Sequence, residues 1–205
     1  SATSPALTPL DGIESTFDSP GLLWRTVPPD DLQGVVLSRY LTQRGIDTVA
    51  VIYEEGEYGG ALSSVFLEAY NAAGGQAKPL AYQPNNAQSL KTAMDGVQAQ
   101  EAVLFVSSTK TDTIAFLEEV VNDSFGDKPI FLADGGQDVE LFEAVEGIEN
   151  RFLQIEGTAP ASEQTAVYQS FAASYMSQFG EEADQTPYTG RAYDAAWLLI
   201  YGTAW

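Results

Sequence analysis

No cysteine and no histidine occur among the 205 residues. Without cysteine there is no disulfide, no thiol nucleophile and no thiolate metal site. Without histidine the commonest metal ligand and general base is missing, so Ser-His-Asp and Cys-His catalysis are excluded within this chain. Basic residues are scarce: 9 Lys and Arg stand against 29 Asp and Glu, a formal net charge of -20. Nucleic acid is therefore a poor partner, because neutralising phosphates takes Lys and Arg. The longest apolar run, AAWLLIY (Ala195–Tyr201), falls far short of the roughly 20 residues of a membrane span. The acidity itself fits secreted and periplasmic proteins as well as proteins of saline habitats, and it says nothing specific about a ligand.

What remains is an alternation of β-rich and helix-period runs. GLLWRTV (Gly21–Val27) reads as a strand that Pro28 and Pro29 end. DDLQGVVLSRYLTQRG (Asp30–Gly45) reads as a helix, with acids at its start and glycine past its end. DTVAVIY (Asp47–Tyr53) is a strand, and a helix follows with Leu62, Phe66 and Tyr70 on one face. The pattern repeats through AKPLAYQP, AQSLKTAMDGVQAQ, EAVLFVSS, TDTIAFLEEVVND and KPIFLADGG. A short helix at VELFEAV, a strand at NRFLQIEG and two closing helices complete it. Such alternation predicts an α/β fold: a three-layer α/β/α domain with a mainly parallel sheet. The runs at 48–53, 102–107 and 129–133 are apolar on both faces, as buried parallel strands must be.

In such a sheet, ligands bind beyond the carboxyl ends of the strands, where strand order reverses. With the order 2-1-3-4-5, the reversal brings three strand ends to one crevice: Tyr58, then Ser107, Ser108 and Thr109, then Asp134. A carboxylate in the turn DGG suits an ammonium group through charge-assisted hydrogen bonds. A tyrosine offers a flat apolar wall and one hydroxyl. Helix N-termini near Gly59 and Lys110 favour an anion, so the combination suits a small zwitterion. Each group also has an ordinary structural role: Asp134 as the cap of a turn, Tyr58 as a surface aromatic. EEGE (Glu54–Glu57) and DDL (Asp30–Leu32) read as solvated acidic turns. EYGGAL is not a dinucleotide fingerprint, and no calcium-binding loop or glycosidase-like acid pair stands in a recognisable motif.

The segments SATSPALT, WRTVPPDDLQGVVLSRYL, VAVIYEEGEYGGAL, AGGQ, AVLFVSS and PIFLADGG, in this order, resemble the type I periplasmic binding proteins. Within them the group of branched-chain amino-acid receptors of ABC transporters is the most similar. The resemblance implies two α/β lobes joined by a three-stranded hinge and closing on a ligand in the cleft between them. It divides the chain into residues 1–27, a first-lobe segment and hinge crossing; 28–157, the second lobe; and 158–205, the hinge return and first-lobe helices. The chain begins at Ser1 without Met and stops at Trp205 inside a helix-like run, and a longer parent protein is expected.

By the same resemblance, Ser1 and Thr3 hold the ligand carboxylate, Tyr58 lies against the ligand, Asp134 takes its α-ammonium and Tyr188 borders the side-chain pocket. Thr109 stands where the amino-acid receptors carry a tyrosine, a departure that opens the pocket to a polar or acidic group beside Lys110 and Thr111. The implied protein is not an enzyme and needs no cofactor or metal. Its partners are an amino acid or related small molecule and an ABC-transporter permease, and it meets a membrane only through a partner or a lipid anchor. Its location is periplasmic or extracellular. A ligand-binding sensor domain of the same fold is the alternative, separable by a membrane span downstream. A flavodoxin-like regulatory or enzymatic protein is the other, disfavoured by the missing His, Cys and phosphate loop.

Overall fold

The computed structural model describes residues 3, 7, 23–122, 125–136, 141, 155–161, 165–185 and 188–204. Five strands form one sheet: β1 (Thr48–Glu54), β2 (Gln76–Tyr82), β3 (Ala102–Val106), β4 (Ile130–Leu132) and β5 (Ile155–Gly157). Their order is β2-β1-β3-β4-β5, and every pairing is parallel. This is the order expected above. Val51 of β1 faces Pro79 of β2 on one side and Leu104 of β3 on the other, so the central strand is covered along both edges.

Helices α1 (Asp30–Gln43), α2 (Glu57–Ala72), α3 (Ala87–Asp95) and α4 (Lys110–Val121) connect the strands, and α5 (Ala166–Phe179) and α6 (Thr189–Ala204) follow them. α1 starts directly after Pro29, whose fixed φ and absent N–H are compatible with a helix start, and Asp30 and Asp31 suit the positive end of its dipole. α3 is capped by Asn86, whose side chain accepts from the Ser89 amide at 3.0 Å. Thr165 caps α5 in the same way; such a cap contributes about 1 kcal/mol.

Each face of the sheet has its own core. One layer packs α1 and α2 through Leu37, Leu41, Leu62, Phe66 and Tyr70 against Val49, Val51 and Leu104. The other packs α3 and α4 through Leu90, Phe116 and Leu117 against Ile52, Val103 and Phe105. Phe105 and Phe116 stack with centroids 4.1 Å apart. β3 and β4 are buried at every position, which is why their sequences are continuous apolar runs rather than alternating ones.

One expectation changes, and one falls mostly outside the described residues. The run read as a strand at Gly21–Val27 forms none over its described part, 23–27: Trp24 is 71 % exposed and no described strand lies beside it. Leu141 is helical and buried, while the rest of the short helix read at 139–145 lies outside the described residues. Helices α5 and α6 bury no residue of their own. They meet through Phe171 and Tyr193, 4.5 Å between centroids, and leave Phe179, Leu198, Leu199 and Tyr201 exposed. Among the described residues no helix is long and apolar enough to cross a membrane.

Three separated segments meet beside β5. The Thr26 hydroxyl donates to the Arg191 carbonyl at 2.8 Å, and the Arg191 guanidinium donates to the Ala161 carbonyl at 2.8 Å. Gln33 on α1 donates to the Thr158 carbonyl and hydroxyl, each at 3.0 Å. Chain leaving the sheet domain is thus stitched to chain entering it.

Candidate functional site

The carboxyl ends of β1, β3 and β4 lie side by side because the strands are parallel and adjacent. After β4, the Ala133 amide bonds the Phe105 carbonyl, and the chain turns tightly through Asp134, Gly135 and Gly136. A Cβ on Gly135 would lie 1.9 Å from the Ser107 carbonyl oxygen, so only glycine lets this turn rest on the end of β3. The turn fixes Asp134, which is buried. Gly59 does the same for α2: a Cβ there would lie 2.2 Å from the Glu54 carbonyl oxygen. The helix therefore begins against the end of β1, and Tyr58 in its first turn reaches across to β4.

Tyr58 donates its hydroxyl to Asp134 Oδ1 at 2.5 Å, and Tyr188, just before α6, donates to Asp134 Oδ2. Burial first, and the neighbouring Asp134 carboxylate next, push the Tyr58 hydroxyl far above the ordinary tyrosine range. Burial and the hydrogen bond to Asp134 do the same to Tyr188. Both hydroxyls therefore stay protonated and serve as donors at any physiological pH.

A second carboxylate faces the same space. Asp30, at the start of α1, is 2 % exposed. Its amide donates to the Thr3 carbonyl at 2.9 Å, and its carboxyl is hydrogen-bonded by the Thr3 side chain. Its Oδ2 has no hydrogen-bond partner among the described residues. Burial raises the Asp30 pKa, the bond from Thr3 opposes that rise, and the charge of Asp134 adds to it. Asp30, Asp134 and Thr3 line a cavity of about 160 Å³, with Val36, Thr158 and Ala159 among its other walls. That volume admits a small molecule rather than a single water.

A neighbouring polar cluster has a different composition. Glu54, the last residue of β1, is 4 % exposed. Its carboxylate accepts from the Ser107 hydroxyl at 3.1 Å, the Ser108 amide at 2.8 Å and the Ser108 hydroxyl at 2.6 Å. The Thr109 hydroxyl donates to Asp112 Oδ2 at 2.7 Å. These bonds lock the end of β1 to the start of α4.

Of the residues singled out from sequence, Thr3, Tyr58, Asp134 and Tyr188 come together around Asp134 and the cavity. The hydroxyls of Ser108 and Thr109 are turned onto Glu54 and Asp112 instead, and neither residue lines the cavity. Ser1 lies outside the described residues. Glu54 and Asp30, read as solvated turn acids, are both buried. Two signals pointed to them. Glu54 directly follows the buried run of β1, and Asp30 directly follows two prolines at a helix start. Among the described residues no group of three acidic side chains is placed to hold a metal ion.

The fold is that of the periplasmic binding proteins, and the model of that family matches residues 4–204. The chain belongs to the periplasmic binding protein family. No curated protein sequence matches it. Among solved structures it is similar to the leucine-binding protein LivK of Thermotoga maritima MSB8, with a TM-score of 0.72 and 20 % identity over 85 % of this chain and 50 % of that one. An ABC transporter substrate-binding protein of Desulfitobacterium hafniense in complex with Leu gives 0.63 and 20 % identity, over 96 % of this chain and 53 % of that one. A solute-binding protein of R. palustris in complex with benzoate gives 0.70 and 15 % identity, over 86 % and 48 %. The chain thus spans about half the length of these solved relatives.

Proposed function

We propose that this chain is part of an extracytoplasmic solute-binding protein of an ABC transporter, one that captures an amino acid or a related ammonium-bearing small molecule. The observation that carries the reading is the buried Asp134 carboxylate beside the cavity, held by Tyr58 and Tyr188. A carboxylate oriented by two hydroxyl donors keeps further lone pairs for a ligand ammonium. Thr3 anchors the ligand carboxylate, and Tyr58 and Tyr188 supply aromatic walls.

Residues 28–157 act as one lobe, and the stitched segments around Thr26, Ala161 and Arg191 act as hinge crossings. Closure about them buries the ligand. The exposed apolar faces of α5 and α6 belong to the other lobe, whose remainder covers them. The protein hands its ligand to a membrane permease; it catalyses nothing and uses no cofactor.

The test is a thermal-shift panel of amino acids and small carboxylates on the protein and on Asp134→Ala. An amino acid is expected to raise Tm in the protein and to lose that effect in the variant. Equal stabilisation of both by a solute without an amine would overturn the role of Asp134.

A further inference from the structure

We propose that Glu54 is a positioning residue for ligand binding: its buried carboxylate holds the ends of β1 and β3 together and so sets the reach between Tyr58 and Asp134. The proposal rests on the solute-binding reading above and names a residue that does not itself line the cavity. Glu54 ends β1 and is 4 % exposed. Its Oε2 accepts from the Ser107 hydroxyl at 3.1 Å and from the Ser108 amide at 2.8 Å. Its Oε1 accepts from the Ser108 hydroxyl at 2.6 Å. Donors from two consecutive residues fix the chain beyond β3 in both place and orientation, because the two carboxylate oxygens are held at once.

Both Tyr58 and Asp134 are seated on the clamped atoms. Gly59, next to Tyr58, packs so closely on Glu54 that a Cβ there would lie 2.2 Å from the Glu54 carbonyl oxygen and 2.7 Å from its Cγ. Gly135, next to Asp134, packs on the residues that Glu54 holds. A Cβ there would lie 1.9 Å from the Ser107 carbonyl oxygen and 3.3 Å from the Ser108 Cα. One side chain thus joins the seat of the tyrosine to the seat of the aspartate, and the Tyr58–Asp134 bond of 2.5 Å completes the connection. Contacts this close leave no slack, so a shift of the β3 end against β1 is passed on to Asp134. A binding group works when held to within about 0.5 Å. Glu54→Asp withdraws the carboxylate by one carbon–carbon bond, about 1.5 Å, which exceeds that tolerance. Glu54→Gln keeps the length: its oxygen can accept from Ser107 and the Ser108 amide while its nitrogen donates to the Ser108 hydroxyl.

The experiment titrates L-leucine calorimetrically into the protein, Glu54→Asp, Glu54→Gln, Tyr58→Phe and the double variant Glu54→Asp/Tyr58→Phe. Glu54→Asp is expected to lower leucine affinity about tenfold, as the loss of one well-placed charge-assisted bond would. Glu54→Gln should recover most of that loss. The double variant should bind about as well as the weaker of its two parents, because both changes act on one pair. A residue that only stabilises the fold would lower the denaturation midpoint in Glu54→Asp and leave leucine affinity unchanged. That result, equal losses in Glu54→Asp and Glu54→Gln, or losses that multiply in the double variant would overturn the proposal and leave the proposed function standing. A second readout needs no ligand. The Tyr58 hydroxyl proton, buried and bound to Asp134, should give a downfield proton resonance that Tyr58→Phe removes. It should persist in Glu54→Gln and shift or vanish in Glu54→Asp. If no amino acid binds the unaltered protein, the proposed function falls, and this resonance alone tests the clamp: no change in a folded Glu54→Asp ends it. Should Glu54→Asp not fold, Ser108→Ala, which removes one donor to Glu54, replaces it in both measurements with the same expected direction.

Discussion

The hydroxyl of Tyr58 donates to Asp134 Oδ1 at 2.5 Å, tying the first turn of α2 to the turn that follows β4. Both partners are buried, so removing the donor leaves a carboxylate oxygen short of a bond where water does not easily replace it. Tyr58→Phe is expected to cost about 1–3 kcal/mol of folding stability, read from denaturant midpoints at pH 7. A change below a few tenths would mean that water enters and takes over the bond.

Alkaline titration follows from the same tyrosines. Burial leads the causes at Tyr58, Tyr82 and Tyr188 and raises all three well above 10.0, while Tyr70 is pushed to about 12. Their folded-state values exceed the unfolded one, so the stability they confer is complete below about pH 10 and is lost as pH rises beyond it. Absorbance at 295 nm should show these tyrosines ionising only as the protein unfolds. Free ionisation of all ten tyrosines in one step near pH 10, with the fold intact by circular dichroism, would contradict their burial.

Asp30 gives the opposite sign to the usual acid. Its folded-state pKa is raised above 3.8, by burial first and by Asp134 in addition. The protonated form is therefore favoured in the fold, and its contribution to stability declines as pH rises through the folded value. Helix α1 favours a negative charge at that position by about 0.3–1 kcal/mol, and the Thr3 bond and the charge of Arg25 favour it too, but burial outweighs them. Asp30→Asn should therefore stabilise the ligand-free protein at pH 7, by about 1 kcal/mol. The gain should shrink toward acidic pH; thermal melts across pH 4 to 7 read it, and destabilisation at pH 7 would refute it.

Gly135→Ala and Gly60→Ala form a matched pair. A Cβ at 135 meets the Ser107 carbonyl at 1.9 Å, whereas at 60, inside α2, it meets nothing within 4 Å. The first substitution is expected to cost about 1–3 kcal/mol by forcing backbone apart and to displace Asp134. The second should gain roughly 0.5–1 kcal/mol from helix propensity. Equal effects in chemical denaturation would mean that the turn after β4 relaxes freely.

The strand order and most helix limits were legible because β-branched apolar runs and glycine- or proline-punctuated helical runs alternate without ambiguity. Tyr58 and Asp134 were legible for a related reason: in a parallel sheet the residues after strand ends share one edge. Asp30 and Glu54 were less so, because the runs before them mark their positions but not their burial. A pair of acids in a turn looks the same whether water or protein surrounds it. What buries Asp30 includes Thr3, and what engages Glu54 is Ser107 and Ser108, all far away along the chain. The strand read at Gly21–Val27 failed because apolar composition cannot say whether a neighbouring strand exists to complete the ladder.

The all-parallel sheet has an engineering consequence. Asp30, Tyr58 and Asp134 sit on loops or first helical turns at one edge, while the packed aromatic and aliphatic layers lie between that edge and the opposite turns. Randomising positions such as Val36 and Ala159, which line the cavity and are not in the packed layers, would change what the cavity accepts while leaving the sheet and its two cores untouched. Such a library could yield biosensors for new solutes from one unaltered framework.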